Sequence, residues 1–318
     1  MADRGSLLEL LGERRSGALL VGLTPPRRST APEKVAEIAD RTMARLRPLD
    51  LDGVVLYDID DESDRIDTER PFPYLPTLDP AVFRDRYFSA LPHPSVVYRC
   101  VGKYDERELE EWLAKADVER TATVFVGASS GDKQVRTTLA RAHELRRAVA
   151  PGLLTGSVVI TERYKRRGDE HVRMLAKQRQ GCDFFVSQVV YDTDATKSLL
   201  SEYHYLCREA GEAPRPVVFT LSVCGSLTTL DFLKWLGVDV PRWFENTLRF
   251  EPDPLERSFA QSLTGARELR DFCGQLGLPY GFNVESVSSR RIEIEAAMRL
   301  AGCVRELLDG GRPVADAE

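Results

Sequence analysis

Residues Asp169 to Asp192 read DEHVRMLAKQRQGCDFFVSQVVYD, and this stretch decides the fold. It opens on acidic residues, where a helix N-terminus favours negative charge, and Val172, Leu175 and Ala176 recur at helical spacing. Gly181 ends that helix. Cys182 to Val190 then runs apolar, interrupted only by Asp183, Ser187 and Gln188. A run that is apolar on both faces is a buried parallel strand rather than an amphipathic edge strand. Gln188 therefore falls near the carboxyl end of such a strand, where α/β enzymes keep their chemistry. A buried amide there must hydrogen-bond to protein or to a ligand.

The same rhythm extends in both directions. Further strands are predicted at Ala18–Leu23, Gly53–Tyr57, Ser95–Val101, Thr121–Val126, Leu153–Ile160, Pro216–Leu221 and Tyr280–Val284. Helical periodicity marks Leu7–Leu11, Pro32–Leu46, Pro80–Leu91, Glu106–Ala116, Lys133–Val149, Thr196–Ala210, Thr228–Leu236, Leu255–Leu276 and Arg291–Leu307, with a proline-marked insertion around Pro241. Strand and helix alternate at a spacing of roughly 30 residues, the pattern of a parallel sheet. Eight such units in 318 residues predict one α/β domain, a (β/α)8 TIM barrel. A doubly wound sheet ranks second, because no GxGxxG follows the first strand. Residues 1–16 read as an N-terminal helical extension and 309–318 as a disordered tail.

The composition, 42% hydrophobic and 30% charged, is that of a soluble globular protein. A net charge of −6 and a pI near 5.5 argue against nucleic acid or an anionic membrane as partner. No apolar run approaches the ~20 residues of a membrane span, and the N-terminus lacks a signal peptide's apolar segment, so a cytoplasmic location is expected. The six cysteines are scattered without a CxxC and read as buried free thiols.

Polar residues just past strand ends gather at one mouth of such a barrel. Here they are Thr24, Asp58, Asp60, Asp61, Glu62, Lys103, Ser129, Ser130, Asp132, Glu162, Arg163, Gln188, Asp192, Ser222, Asn283 and Glu285. Histidine is absent from this set, so a Ser/His/Asp or Cys/His arrangement for acyl transfer cannot be assembled. The run Asp58–Glu62 has two readings of equal weight. Mutual repulsion keeps one carboxyl protonated as a general acid, or the loop is solvated and paired with Arg65 and Arg70. A divalent metal is a third and weaker option, since no second acidic cluster converges on it. Arg163–Arg167 carries four cations in five residues and reads as a basic loop, solvated or able to hold a dinucleotide phosphate. Gly127–Asp132 is either a turn for close backbone approach or an ordinary one with Asp132 as helix cap.

Several motifs together resemble the methylenetetrahydrofolate reductase family, in particular its divergent actinobacterial-type members. They are Pro25-Pro26 after the first strand, Asp58–Glu62 with Arg70-Pro71-Phe72-Pro73, Arg173–Gln178 with Lys177, and Phe184–Asp192. Phe232–Val238 and Gly281–Ser286 complete the set, which spans roughly Leu20 to Leu307. The resemblance implies a (β/α)8 barrel that reduces 5,10-methylenetetrahydrofolate to 5-methyltetrahydrofolate with NAD(P)H. It implies that Gln188 contacts both pterin and nicotinamide, a task suited to an amide that donates and accepts at once.

The departures are equally specific. The family's glutamate three residues before Pro-Pro, which donates the proton that opens the folate's five-membered ring, is Gly22 here. Its flavin loop becomes Ser129-Ser130-Gly131-Asp132 without the arginine, and the tyrosine and histidine after strand five become Ile160 and Tyr164. The strand-eight threonine-leucine-asparagine becomes Val284-Glu285-Ser286. FAD is therefore left open as a bound group, and direct hydride transfer from NAD(P)H is favoured. Glu62, or Asp60, is the expected replacement proton donor, with Gln188 the third catalytic residue. Substrate or cofactor contacts are expected from Thr24, Tyr57, Asp58, Ser129, Asp132, Glu162, Arg163, Lys177, Gln188, Asp192, Asn283 and Glu285. A repurposed imine reductase and a non-catalytic folate-binding subunit are the alternatives. The choice between NADH and NADPH, and a homo-oligomeric state, stay open.

Overall fold

A computed structural model describes residues 4–61, 70–127 and 135–310. Its strands are β1 (Ala18–Leu23), β2 (Gly53–Leu56), β3 (Ser95–Cys100), β4 (Thr121–Val126), β5 (Leu154–Val159), β6 (Phe184–Val189), β7 (Val217–Ser222) and β8 (Tyr280–Glu285). Each pairs in parallel with its sequence neighbours, and β8 pairs with β1, closing the sheet into the expected (β/α)8 barrel. The helices are α1 (Leu7–Gly12), α2 (Pro32–Leu46), α3 (Pro80–Tyr87), α4 (Glu106–Lys115), α5 (Leu139–Val149), α6 (Thr161–Arg167) and α7 (Glu170–Arg179). They continue with α8 (Thr193–Glu209), α9 (Leu227–Trp235), α10 (Arg242–Phe250), α11 (Pro254–Leu276) and α12 (Arg291–Leu308).

Alternation along each strand divides the core into two layers. Leu19, Val21, Leu56, Phe185, Phe219 and Phe282 face outward and meet Val35, Met43, Leu199, Tyr203 and Leu300 of the surrounding helices. Leu20, Val55, Val96, Val124, Val186 and Val218 point inward and pack together with α1. A capping box between Ser6 and Glu9 starts α1, and Leu7, Leu10 and Leu11 are buried. Leu7 lies against Gly53, and Gly12 against Leu154, at the first residues of β2 and β5. The leading helix is therefore a plug in the amino end of the barrel. Polar inward residues are left to the carboxyl end.

Three local expectations are corrected. The basic run Arg163–Arg167 is not a loop but most of α6. Glu162 in its first turn and three cations in its last turn complement the helix dipole, and Gly168 stops it at φ 71°. The helix predicted from Lys133 begins at Leu139, because the Thr138 hydroxyl caps it by accepting from Arg141 N–H. The insertion around Pro241 hides α10, an amphipathic helix that buries Phe244 and Leu248 and leaves Phe250 exposed. The six cysteines are free thiols, five of them buried. The tail beyond Gly310 lies outside the described residues, while Asp309 at its root is paired to Arg4 at 2.9 Å. No described helix is long and apolar enough to cross a membrane.

Candidate active site

At the carboxyl mouth the inward positions of β8 are Asn283 and Glu285. Asn283 is fully buried, and its Nδ2 donates to the Tyr57 hydroxyl at 2.8 Å and to Thr220 Oγ1 at 3.4 Å. Its Oδ1 is buried with no hydrogen-bond partner among the described residues. The Tyr57 ring stands edge-on to Tyr98, with centroids 4.9 Å apart. Glu285 pairs in the ladder with Gly22 of β1. Burial raises its carboxyl pKa to about 7, against the opposing effect of Tyr57 and Asn283 beside it. Its Oε2 likewise has no hydrogen-bond partner among the described residues. A carboxyl in this setting is half protonated near neutrality and can give up a proton.

Asp58 also lies at the mouth, but it is committed to holding the structure. Its Oδ2 accepts from Cys100 N–H at 2.8 Å and from the Tyr104 hydroxyl at 2.9 Å, and Lys103 pairs with its other oxygen. Three groups thus fix the β2 and β3 ends through one buried carboxylate. Asp60 Oδ1 accepts from Asp61 N–H at 2.9 Å. Glu62, Ser129 and Asp132, expected at the site, lie outside the described residues. Thr24 is exposed in the turn after β1.

Gln188 sits at a bulge in β6, where the register with β7 shifts between Val186 and Val189. Its Oε1 accepts from Val189 N–H at 3.1 Å, and its Nε2 donates to the Leu236 carbonyl at 3.2 Å. The amide is thus satisfied by the end of α9. Arg70 lies over the rings of Trp235, Phe232 and Tyr74, 4.9, 5.4 and 5.6 Å from their centroids. This ties the loop after β2 to α9, a link between two quoted motifs that neither motif reveals alone.

The remaining expected contacts are engaged elsewhere. Arg163 is paired with buried Glu170 at 3.0 Å, and Lys177 donates to the Val158 carbonyl at 2.6 Å from the helix layer. Arg163 is thus held by α7 and Lys177 by a carbonyl of β5. Glu162 accepts from Asp239 N–H at 3.0 Å, and burial raises its pKa. Asp192 caps α8 through Ala195 N–H at 3.0 Å and pairs with Lys165 at 2.8 Å. Two of the four cations of the basic run, Arg163 and Lys165, are therefore paired with protein carboxylates.

The structure brings Tyr57, Asn283 and Glu285 together over Gly22. The sequence names Asn283 and Glu285 as mouth residues and Tyr57 as an expected contact, but not their grouping. One signal pointed to it: a glycine inside a strand marks a close approach. A Cβ at Gly22 would lie 2.9 Å from the Tyr57 ring and 3.0 Å from Glu285 Oε2. Tyr164 turns its ring edge-on to His171, with centroids 6.1 Å apart.

No protein-family model and no curated protein matches the chain. Among solved structures, a protein of Clostridium thermocellum superposes with a TM-score of 0.84 at 38% sequence identity, over 95% of this chain and 99% of its own. It is described as an uncharacterized protein that binds two copies of 5-methyl-5,6,7,8-tetrahydrofolic acid. The dihydropteroate synthase of Xanthomonas albilineans reaches a TM-score of 0.45 at 13% identity, over 94% of this chain and 95% of its own. The 7,8-dihydropteroate synthase of Vibrio fischeri reaches 0.47 at 11%, over 98% of each chain. Nothing is drawn from those two distant likenesses. At 38% identity over nearly its full length, this chain belongs to the same family as the Clostridium thermocellum protein.

Proposed function

We propose that this protein reduces 5,10-methylenetetrahydrofolate to 5-methyltetrahydrofolate, taking hydride directly from NAD(P)H. The observation that carries the reading is the relative's ligand. 5-Methyltetrahydrofolate is the product of that reaction, and the protein that binds it shares 38% of its residues with this one. The mouth offers chemistry suited to a pterin: an amide acceptor from Asn283 with no protein partner among the described residues, an amide from Gln188, and a protonatable carboxyl. Engaging Gln188 requires the ligand to replace the Leu236 carbonyl. That exchange is nearly neutral, because one net hydrogen bond is worth about 1 kcal/mol.

In the proposed reaction the methylene carbon receives hydride from the nicotinamide ring, and the bond from that carbon to N10 breaks. The test is to mix the purified protein with methylenetetrahydrofolate and NADH or NADPH. Stoichiometric loss of reduced nicotinamide with formation of 5-methyltetrahydrofolate supports the reading, without added flavin. A folate-binding protein without redox chemistry is the second reading, favoured by the relative's ligand being already fully reduced. It predicts binding of 5-methyltetrahydrofolate with no nicotinamide oxidation.

A further inference from the structure

We propose that Glu285 is the proton donor that opens the folate's five-membered ring, a carboxylic acid carried on β8 into the space that a β1 side chain at Gly22 would fill. The inference rests on the reductase reading and assigns its acid.

The geometry begins with the closure of the barrel. Gly22 of β1 and Glu285 of β8 are ladder partners, so their Cα atoms face each other across one strand spacing. Asn283 and Glu285 alternate inward, and Phe282 and Val284 outward into the helix layer. A Cβ at residue 22 would meet Glu285 Cβ and Oε2, each at 3.0 Å, and the Tyr57 ring at 2.9 Å. The volume of a β1 side chain is thus already filled, and by a carboxyl. An acid on β1 and an acid on β8 exclude one another at this spot.

The surroundings suit an acid that must hold its proton until it is needed. Among the described residues, the titratable groups facing Glu285 are Tyr57 beyond β2, Tyr98 of β3 and Tyr191 beyond β6. Burial, the largest influence on each, keeps all three phenols protonated and neutral. Oε2 is buried without a hydrogen-bond partner among the described residues. Asp60, by contrast, already accepts from Asp61 N–H.

The step balances without another reagent. Glu285 gives its proton to N10 of the folate as the bond from the methylene carbon to N10 breaks, and that electron pair stays on N10. The carbon is left doubly bonded to N5 as an iminium. Hydride from C4 of the dihydronicotinamide adds to it, and the π pair returns to N5. 5-Methyltetrahydrofolate and NAD(P)+ leave, and the Glu285 carboxylate recovers a proton from water.

The experiment compares wild type with Glu285→Gln in the NAD(P)H-dependent reduction. In the variant, kcat is expected to fall by about 100- to 10,000-fold, the range of a lost general acid. Its Kd for 5-methyltetrahydrofolate should stay within roughly threefold, which a merely structural role would not allow. Wild-type kcat at saturating substrates should decline as pH rises above about 7, where the carboxyl ionises. Turnover of Glu285→Gln within roughly threefold of wild type overturns the assignment and leaves the reductase reading intact. Should the variant not fold, a wild-type kcat that is flat across neutral and alkaline pH overturns it equally. Wild type that binds the folate but consumes no NAD(P)H overturns the reading and the assignment together.

Discussion

Gly22 and Glu285 compete for one small volume, and this makes both residues sensitive at the single-atom level. Gly22→Ala pushes a methyl into the Tyr57 ring and the Glu285 carboxyl, at 2.9 and 3.0 Å. Overpacking of this kind costs typically about 1–3 kcal/mol, to be measured by urea denaturation, and a loss of turnover should accompany it. Glu285 also leaves a signature in the pH dependence of stability. Its folded pKa of about 7 lies above the unfolded value, so the folded chain binds the extra proton between the two. Its contribution is complete at acid pH and is lost as pH rises through 7. Burial lowers the His143 pKa to about 4, which gives a slope of opposite sign, so the wild type must be compared with Glu285→Gln. Relative to that variant, the wild type should lose on the order of 2 kcal/mol between pH 5 and 8. Parallel curves would mean that no buried acid titrates there.

At the scale of elements, α1 does more than its six residues suggest. Leu7, Leu10 and Leu11 join the interior layer formed by β1 to β7, so the helix replaces solvent at the amino end of the barrel. Leu11→Ala leaves a cavity under that layer and should cost about 2–5 kcal/mol, read as a lower denaturation midpoint at unchanged slope. A near-neutral result would mean that the plug is not seated. The elements that escaped the sequence, α6 and α10, are short and polar outside their buried stripe. Periodicity needs more turns than seven or nine residues supply, so flanking charge and proline dominated the reading. The loop after β2 and α9 form another joint, made by Arg70 against Trp235 and Phe232.

The whole molecule is closed by its first and last turns of chain. Arg305 of α12 pairs with Asp52 in the turn before β2, both side chains buried, and donates from Nε to the Asp50 carbonyl at 2.9 Å. Asp52 Oδ2 in turn accepts from Leu19 N–H at 2.7 Å. One guanidinium thus fastens the last helix to the start of the sheet. Arg305→Met strands Asp52 as an unpaired buried charge and should cost about 3–5 kcal/mol. Thermal unfolding checks this, and an unchanged midpoint would show that the seam closes without the pair.

Strand identity and order were legible in the chain because they are local properties. β1 and β4 begin and end where the apolar runs do, and β6 is shorter than its run by only a few residues. That Tyr57, Asn283 and Glu285 lie at strand ends was legible for the same reason. Partnership was not. Arg163 and Lys177 looked available until Glu170 and the Val158 carbonyl were seen to hold them. Gln188 was rightly expected to need a partner, but that the partner is the Leu236 carbonyl depends on where α9 ends. Gly22 and Glu285 stand near opposite ends of the chain, and only the pairing of β8 with β1 makes them neighbours. Hydrophobic periodicity is written residue by residue, so the sequence by itself determined the barrel. The surroundings that govern a carboxyl's proton are assembled from distant strands, so only the tertiary structure decided which carboxyl is buried beside Gly22.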